Sequence, residues 1–484
     1  MLDSTTLPAP PPEKPPSLYA KRVRVYPKAV SGVMRRIKWG ILAACLLIYY
    51  LVPLIRWDRG PGRPSQAVLL DMWNERFYIF SVELWPQDIW LLSAALIAAT
   101  VALFLVTSIM GRVWCGYACP QTIWTDLFML VERRIEGDRN TRLKRDAGPL
   151  TFDKAWRKVA KHAAWVAIGF ATGGALTMYF VDVPTLVREF WTGTASSTVY
   201  LTIALLTAGT YFMAGWTREQ WCTYMCPWPR FQSAMSDEET LSVTYRVWRG
   251  EPRGKGKAQR EALGDCVDCG SCVHVCPVGI DIRDGLQPDC INCGLCIDAC
   301  NHVMTRTGRQ PWLISWDSFA TTEARAQGKQ PKPIRLQRTR TIVYGAALVG
   351  LTGIIVGGLV LRPRLTLLAE HDRLPLFVAL RDGSVRNAYT MRIANKIAGA
   401  GQVRLTVTGL KGAVLSAEGQ HADRAGGLVL PVPTDGNAEY RIFITARNPA
   451  SAGTATRPLE FHIRRLSDGA EAEAHENFIS GMHP

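Results

Sequence analysis

No cysteine occurs after residue 300, although the chain holds 13. The C-terminal part therefore has no disulfide and no thiolate chemistry. No Cys-x2-Cys-His stretch occurs anywhere, and no long apolar run contains a histidine. His162 stands only at the edge of one run, so a haem-based electron path lacks its usual ligands. The apolar runs are also free of Asp, Glu, Lys and Arg. A leader signature is missing: the first apolar run begins after residue 38, and no small-residue cleavage site follows it. That run is expected to stay as an anchor. Acidic residues are in deficit, 41 against 56 basic, for a net charge of +15. The excess suits an anionic membrane leaflet. Nucleic acid is not expected as a partner, because no recognition motif accompanies the charge.

What the chain does contain is two cysteine runs back to back. The first is Cys266-x2-Cys269-x2-Cys272-x3-Cys276, followed by Pro277. The second is Cys290-x2-Cys293-x2-Cys296-x3-Cys300, followed by Asn301. Three thiolates on one tight loop reach three irons of a cubane cluster, and the fourth of each run crosses to the other cluster. The expected sets are Cys266, Cys269, Cys272 and Cys300 for one [4Fe–4S] cluster, and Cys290, Cys293, Cys296 and Cys276 for the other. The pattern resembles bacterial two-cluster ferredoxins, except that Asn301 replaces the second proline, which leaves the exit turn of that run open. A structural zinc site is the competing reading, but zinc sites are built from two Cys-x2-Cys pairs rather than two runs of four. Disulfides are disfavoured in loops that read as cytoplasmic.

Five apolar stretches, 39–55, Ile89–Met110, 163–181, 198–215 and 341–361, are long enough or nearly so to cross a bilayer. The first is short and contains Pro53, so its ends are open. Lysine and arginine fill the N-terminal arm, the loop after the second stretch (Arg133 to Lys161) and the segment ending in Arg335, Arg338 and Arg340. The loop between the third and fourth stretches has only Arg188. The positive-inside rule then sets the arm, the basic loops and the cysteine runs in the cytoplasm, and everything after Leu361 outside. The expected division is a disordered basic arm at 1–38, proline-rich at Pro8, Pro10, Pro11, Pro12, Pro15 and Pro16. Helices one to four occupy 39–216, an α+β ferredoxin-like insert 217–340, the fifth helix 341–361 and an outer domain 362–484.

A second signature occurs twice: WCGYACP at 114–120 and WCTYMCP at 221–227. It reads as an internal repeat of a two-span unit, each copy at a cytoplasmic helix end. On a continuous helix Cys115 would share a face with Cys119, and Cys222 with Cys226. Should the two helix ends pack together, four soft thiols converge, a set that selects Cu(I), zinc or iron–sulfur clusters. Arg112 and Arg218 nearby would favour thiolates. Inert packing cysteines beside interfacial aromatics are the alternative. Cys45, within the first span, reads as a small apolar packing residue. Between the signature and the basic loop, 121–136 carries an apolar stripe of Ile123, Leu127, Leu130 and Val131 with Asp126, Glu132 and Arg133 off it. It suits an interfacial helix, or a helix packed on the ferredoxin insert.

Beyond residue 364 the hydrophobic period becomes two. Val403, Leu405 and Val407 alternate with polar residues, as do Leu459, Phe461 and Ile463, and Tyr440, Ile442 and Ile444 keep the same period although Phe443 interrupts their polar face. Seven or eight short strands punctuated by Gly383, Gly409, Gly426 and Gly436 predict an all-β immunoglobulin-like sandwich without an inter-sheet disulfide. His371, His421, His462, His475 and His483 are scattered through it, and only His475 with His483 suggests a metal contact.

Together these features resemble the FixG/RdxA/CcoG family of cytochrome c oxidase accessory proteins over nearly the whole chain. The resemblance implies a multi-pass protein of the bacterial inner membrane that serves assembly of a cbb3-type haem–copper oxidase by reducing Cu(II) to Cu(I). It makes Cys115, Cys119, Cys222 and Cys226 the candidate copper-handling thiols. It implies oxidase subunits or copper chaperones as partners of the outer domain, and an electron donor in the cytoplasm that the sequence does not name. Self-association as a homodimer is left open. Two other readings stand beside it: a quinol-linked electron-transfer subunit feeding a periplasmic reductase, and a non-redox assembly scaffold.

Overall fold

The structure, a computed structural model, describes residues 24–60, 63–255, 263–330, 335, 337–363, 365–396, 401–423, 426–433, 436–447 and 456–480. The proline-rich tail, Lys21, Arg22, His483 and the His421 side chain lie outside them. Two compact units emerge, Met1–Ile355 and Val356–Pro484.

The first unit begins with α1 (Val33–Leu51). A three-stranded antiparallel meander, β1 (Val68–Asp71), β2 (Arg76–Ile79) and β3 (Val82–Leu84), follows; the sequence pattern had not marked it. Then come α2 (Ile89–Met110), α3 (Val113–Tyr117), α4 (Pro120–Glu136), α5 (Arg139–Ala147), α6 (Phe152–Thr177), α7 (Val183–Thr192) and α8 (Ser197–Thr210). Two π-helical turns, Tyr211–Thr217 and Trp221–Met225, lead to α9 (Trp228–Met235). The insert holds β4 (Leu241–Tyr245), α10 (Val247–Gly250), α11 (Ser271–Val275), α12 (Leu295–Arg306), β5 (Ile314–Ser318) and α13 (Phe319–Ala326), with β4 and β5 antiparallel. The last helix is α14 (Thr339–Val360).

Among the described residues four helical segments are long and apolar enough to cross a membrane: Val33–Leu54, Ile89–Met110, Ser197–Thr217 and Thr339–Val360. The fifth expected stretch, 163–181, falls in α6, which ends at Thr177 and begins with charged turns holding Asp153, Lys154, Arg157, Lys158 and Lys161. A helix that is half basic and half apolar does not stand out by composition alone. Its apolar half packs against α8 with almost no space between backbones: a Cβ on Gly169 would lie 3.0 Å from the Thr207 carbonyl oxygen. Small residues at such a crossing let helices gain dispersion contact where lipid removes the hydrophobic drive.

Helix α4 corrects the apolar-stripe reading. Its fully buried positions include Asp126, Met129, Glu132 and Glu136, spaced three and four apart, while Leu127, Leu130 and Val131 are only half-buried. The charges turn inward because cations meet them there. Arg35 Nη1 and Lys38 Nζ lie 3.2 and 3.0 Å from Asp126. Arg142 and Arg218 lie 2.7 and 2.6 Å from the two oxygens of Glu132. The buried carboxylates thus pin α1, α5 and the α8 exit to one helix, and the paired charges offset part of the desolvation cost of burying them.

The second unit is a two-layer β-sandwich. Its strands are β6 (Leu365–His371), β7 (Val378–Ala379), β8 (Ser384–Asn395), β9 (Gly401–Thr408), β10 (Val414–Ala417), β11 (Gln420–His421), β12 (Leu428–Val432), β13 (Gly436–Arg447), β14 (Thr456–Arg465) and β15 (Glu471–Ile479). One sheet has the order β11-β10-β13-β8-β6 with β7 on β8, and the other β12-β9-β14-β15. The predicted inward residues form its core: Val403, Leu405, Ile442, Ile444, Leu459, Phe461 and Ile463 are all buried, facing Tyr389, Met391 and Ile393. Among the described residues ten strands appear where seven or eight were expected, because short edge strands such as β7 and β11 carry too few residues to show a period.

Candidate metal centre

The two cysteine runs fold as near copies. Each begins with a loop whose second residue after the first cysteine has positive φ, Asp268 at 51° and Asn292 at 51°. Aspartate and asparagine tolerate this left-handed conformation better than other side chains. The loop then enters a helix, α11 or α12. The exits differ. Helix α11 stops at Val275, and Cys276 is extended, as the residue before Pro277 must be. Helix α12 runs on through Cys300 and Asn301 to Arg306, because no proline stops it. Asn301 instead accepts a hydrogen bond from the Trp312 backbone N–H at 2.6 Å.

Folding brings Cys300 into electrostatic reach of Cys272, Cys266 and Cys269. It brings Cys276 to Cys293, and Cys290 to Cys293 and Cys276. Burial pushes the thiols of Cys272 and Cys276 up to about 11, and those of Cys290 and Cys300 up to about 12. Left free, these sulfurs are neutral; binding a metal displaces their protons. Backbone N–H groups are aimed at the sulfurs, three of them (Val278, Gly279, Ile280) at Cys276 and one, of Asn292, at Cys290. An apolar cleft lined by Val243, Ile280, Ile282, Ile291 and Leu295 surrounds Cys272, Cys276, Cys290, Cys293 and Cys296, whereas Cys269 is exposed. Thiols in two groups, most of them buried or half-buried, apolar walls and backbone donors to sulfur fit [4Fe–4S] clusters.

The WCxYxCP copies also fold alike, but not as single helices. Helix α3 ends at Tyr117, Cys119 is extended, and Pro120 opens α4. In the second copy Cys226 is extended after the π-helical turn, ahead of Pro227 and α9. The expectation that each pair shares one helix face is therefore corrected: a proline two or three turns from the span end disfavours helical backbone at the cysteine before it. Both breaks are closed in the same way. The Cys119 N–H donates to the Trp114 carbonyl at 2.9 Å, and the Cys226 N–H to the Trp221 carbonyl at 2.8 Å. Three residues before each tryptophan the backbone turns with positive φ, 54° at Gly111 and 42° at Arg218. Arg218 bears that strain because its Nε donates to the Gly215 carbonyl at 2.9 Å and its Nη2 to Glu132 at 2.6 Å.

The four thiols come together nonetheless. Cys222 lies within electrostatic reach of Cys119, Cys115 and Cys226, and Cys115 of Cys119 and Cys226. Burial pushes Cys115 up to about 11 and Cys222 up to about 12. The Cys115 thiol donates to Gln232 Oε1 at 3.1 Å. Sequence reasoning missed Gln232, a fully buried residue of α9 with no motif around it. Of the two expected neighbouring cations, Arg112 stands beside Cys115, whereas Arg218 is spent on Glu132. Cys45 is half-buried in α1 with no thiol partner among the described residues.

The two centres touch. Cys115 and Cys293 share one apolar cluster with Val275, Ile291, Leu295 and Ala299. A Cβ on Gly116 would stand 2.4 Å from the Ile291 carbonyl oxygen, so only glycine lets the signature lie on the second cysteine loop. The insert is also tied to the first helix: the Asp298 carboxylate accepts from the Met34 and Arg35 N–H groups at 3.2 and 2.8 Å, capping the start of α1 from between two cysteines.

In the second unit His371 bonds Asn387 at 2.8 Å, and His462 and His475 sit near Glu460. Among the described residues no three Cys, His, Asp or Glu side chains gather tightly enough for a single metal ion.

Residues 217–319 match the family model for a 4Fe-4S dicluster domain, residues 92–136 one for a 4Fe-4S binding domain, and residues 355–481 the immunoglobulin-like fold at the C-terminus of FixG. Protein RdxA of Cereibacter sphaeroides is 46% identical over 94% of this chain and 96% of its own length. RdxB of the same organism is 45% identical over 96% of this chain and 98% of its own. The nitrogen fixation protein FixG of Rhizobium meliloti is 45% identical over 88% of this chain and 87% of its own. With relatives this similar from end to end, the chain belongs to the FixG/RdxA family.

Proposed function

We propose that this protein is a membrane-bound iron–sulfur electron-transfer protein that reduces Cu(II) to Cu(I) for assembly of a cbb3-type haem–copper oxidase. The observation that carries the reading is the direct packing of the first WCxYxCP signature, through Cys115, Gly116 and Tyr117, on the second cysteine loop, which joins a soft-metal site to an electron-carrier module. When bound, [4Fe–4S] clusters supply one-electron carriers whose potentials follow from charge and hydrogen bonds to sulfur. The chain's part is to hold them through Cys266, Cys269, Cys272 and Cys300, and through Cys290, Cys293, Cys296 and Cys276. Backbone N–H groups at Cys276 and Cys290 temper the sulfur charge, and apolar walls exclude water. Cys115, Cys119, Cys222 and Cys226 form the acceptor end, where one electron leaves for each Cu(II); sulfur favours the monovalent product.

In this reading α6 is the fifth span, and the basic arm and loops hold the insert on the cytoplasmic side of the bacterial inner membrane. A one-electron carrier protein in the cytoplasm supplies the insert, and the sandwich meets oxidase subunits or copper chaperones outside. The test is to reduce the purified protein with dithionite, remove the excess and add Cu(II) with a Cu(I)-specific chelator. Bleaching of the cluster absorbance should reverse as one Cu(I) forms per electron. Clusters that stay reduced in the presence of Cu(II) would sink the reading.

A further inference from the structure

The thiol quartet is built like the two ferredoxin sites rather than like a single-ion site. Its four sulfurs are mutual electrostatic neighbours. Yet no three of them are close enough to hold one ion, and the same is true of the eight sulfurs in the cysteine runs, whose spacing demands cubes. A cube sets each thiolate on a different iron, so its ligands stand farther apart than those of one tetrahedral ion.

An independent observation concerns Arg112. Its side chain is buried, with 7% exposure, and its Nε and Nη1 atoms have no hydrogen-bond partner. Among the described residues it forms no ion pair, while Cys115, Cys222 and Cys290 are all within its electrostatic reach. Every other buried cation around it is matched: Arg35 and Lys38 by Asp126, Arg142 and Arg218 by Glu132, Lys161 by Glu136. Its side chain reaches the Cys115 thiol by a hydrogen bond, but no carboxylate meets it among the described residues, and a buried guanidinium without an anion is costly and calls for a negative partner. Four neutral thiols do not provide it. Four thiolates on an iron–sulfur core, with net negative charge, do.

We propose that Cys115, Cys119, Cys222 and Cys226 hold a third iron–sulfur cluster, of the four-iron kind, with Arg112 as its buried counter-charge. Of the four, the matching family model spans Cys115 and Cys119; the other two ligands come from the second signature, at Cys222 and Cys226. The cluster occupies the acceptor end of the proposed path, and so rests on that reading for its role. Cu(II) is then an electron acceptor at its edge rather than a ligand of all four thiols.

The experiment is iron and acid-labile sulfide analysis of the full-length protein, purified anaerobically in detergent. Three cubes give about twelve irons per chain and two give about eight. The wild type should carry about twelve. The double variant Cys222→Ser/Cys226→Ser should carry about eight, with the electron paramagnetic resonance of the reduced dicluster module unchanged. A wild-type content of about eight irons overturns the proposal, as does a double variant that keeps about twelve. The wild-type count decides the matter even where the variant fails to fold. Wild type with about eight irons that still reduces Cu(II) loses the third cluster and keeps the cupric-reductase reading; about twelve irons with no Cu(II) reduction does the reverse.

Discussion

The Tyr117 hydroxyl donates a 3.0 Å hydrogen bond to the backbone carbonyl of Cys293. One residue belongs to the membrane-side signature and the other to the second cysteine loop, 176 positions apart. Tyr117 is buried at 6% exposure, so the carbonyl has no water to turn to if the phenol is removed. Tyr117→Phe should cost about 1–3 kcal/mol, the penalty for an unsatisfied buried acceptor. Iron content should stay at the wild-type level while reoxidation by Cu(II) slows several-fold in stopped-flow traces. Unchanged reoxidation would show that this contact does not lie on the electron path.

Gly116 makes the same junction by absence of a side chain. Gly116→Ala sets a Cβ 2.4 Å from the Ile291 carbonyl oxygen and 3.1 Å from Cys293 Cα, both backbone atoms that cannot rotate away. Overpacking of this kind costs about 1–3 kcal/mol. The loop carrying Cys293 should be displaced, with purified protein losing the iron of that cluster first. Full iron occupancy with an unchanged melting curve would contradict the close approach.

The crossover of ligands predicts an unusual pairing of variants. Cys300→Ala should produce the same spectroscopic loss as Cys266→Ala, although Cys300 lies in the other run. Cys276→Ala should instead match Cys290→Ala. Electron paramagnetic resonance of each reduced variant checks this, and a Cys300→Ala spectrum matching that of Cys290→Ala would refute the exchange.

Glu132 has no solvent exposure and holds Arg142, Arg218 and, at 3.7 Å, Lys161. Glu132→Gln removes the charge and leaves these cations buried with Glu136 alone. The expected cost is about 3–5 kcal/mol, the range for breaking a buried pair from one side. In detergent this should lower the melting temperature by about 10 °C. A shift within error would mean the network is solvated.

Asp146 ties down the N-terminal arm. Burial would raise its carboxyl, but hydrogen bonds from Lys158 and Tyr26, with the charge of Arg24, hold it lower, at about 2. Its value in the unfolded chain is about 3.9. The stabilisation is therefore complete above about pH 4 and is lost as pH falls through about 2. Asp146→Asn should loosen the arm at neutral pH by about 1 kcal/mol after solvent screening. Limited proteolysis near residues 24–30 reads this out, and wild type and variant should converge toward pH 2. A constant difference at every pH would exclude the carboxylate as the cause.

Much of the architecture could be read without coordinates, for reasons visible at single residues. The alternation at Val403, Leu405 and Val407 predicts a strand because a pleated backbone sends successive side chains to opposite faces. The apolar stretch 163–181 was legible, but not that its helix, α6, extends back through charged turns holding Lys158 and Lys161. The β1–β3 meander escaped notice because its strands are three or four residues long, too short for a period to register. Gln232 carries no local pattern, and Tyr117 and Asp298 sit inside the cysteine motifs without the motifs revealing what they bond. Each matters only through a partner more than a hundred positions distant.

By itself the sequence determined the chemistry. Thiols at x2 and x3 spacing, a doubled WCxYxCP signature and uncharged runs of membrane length are local properties of a chain, fixed by covalent geometry and by what each side chain can solvate. Tertiary structure alone decided which thiols meet, why Asp126 and Glu132 turn inward, and that Arg112 meets no carboxylate among the described residues. Those outcomes depend on long-range packing, where each buried charge must find its counterpart in space rather than along the chain.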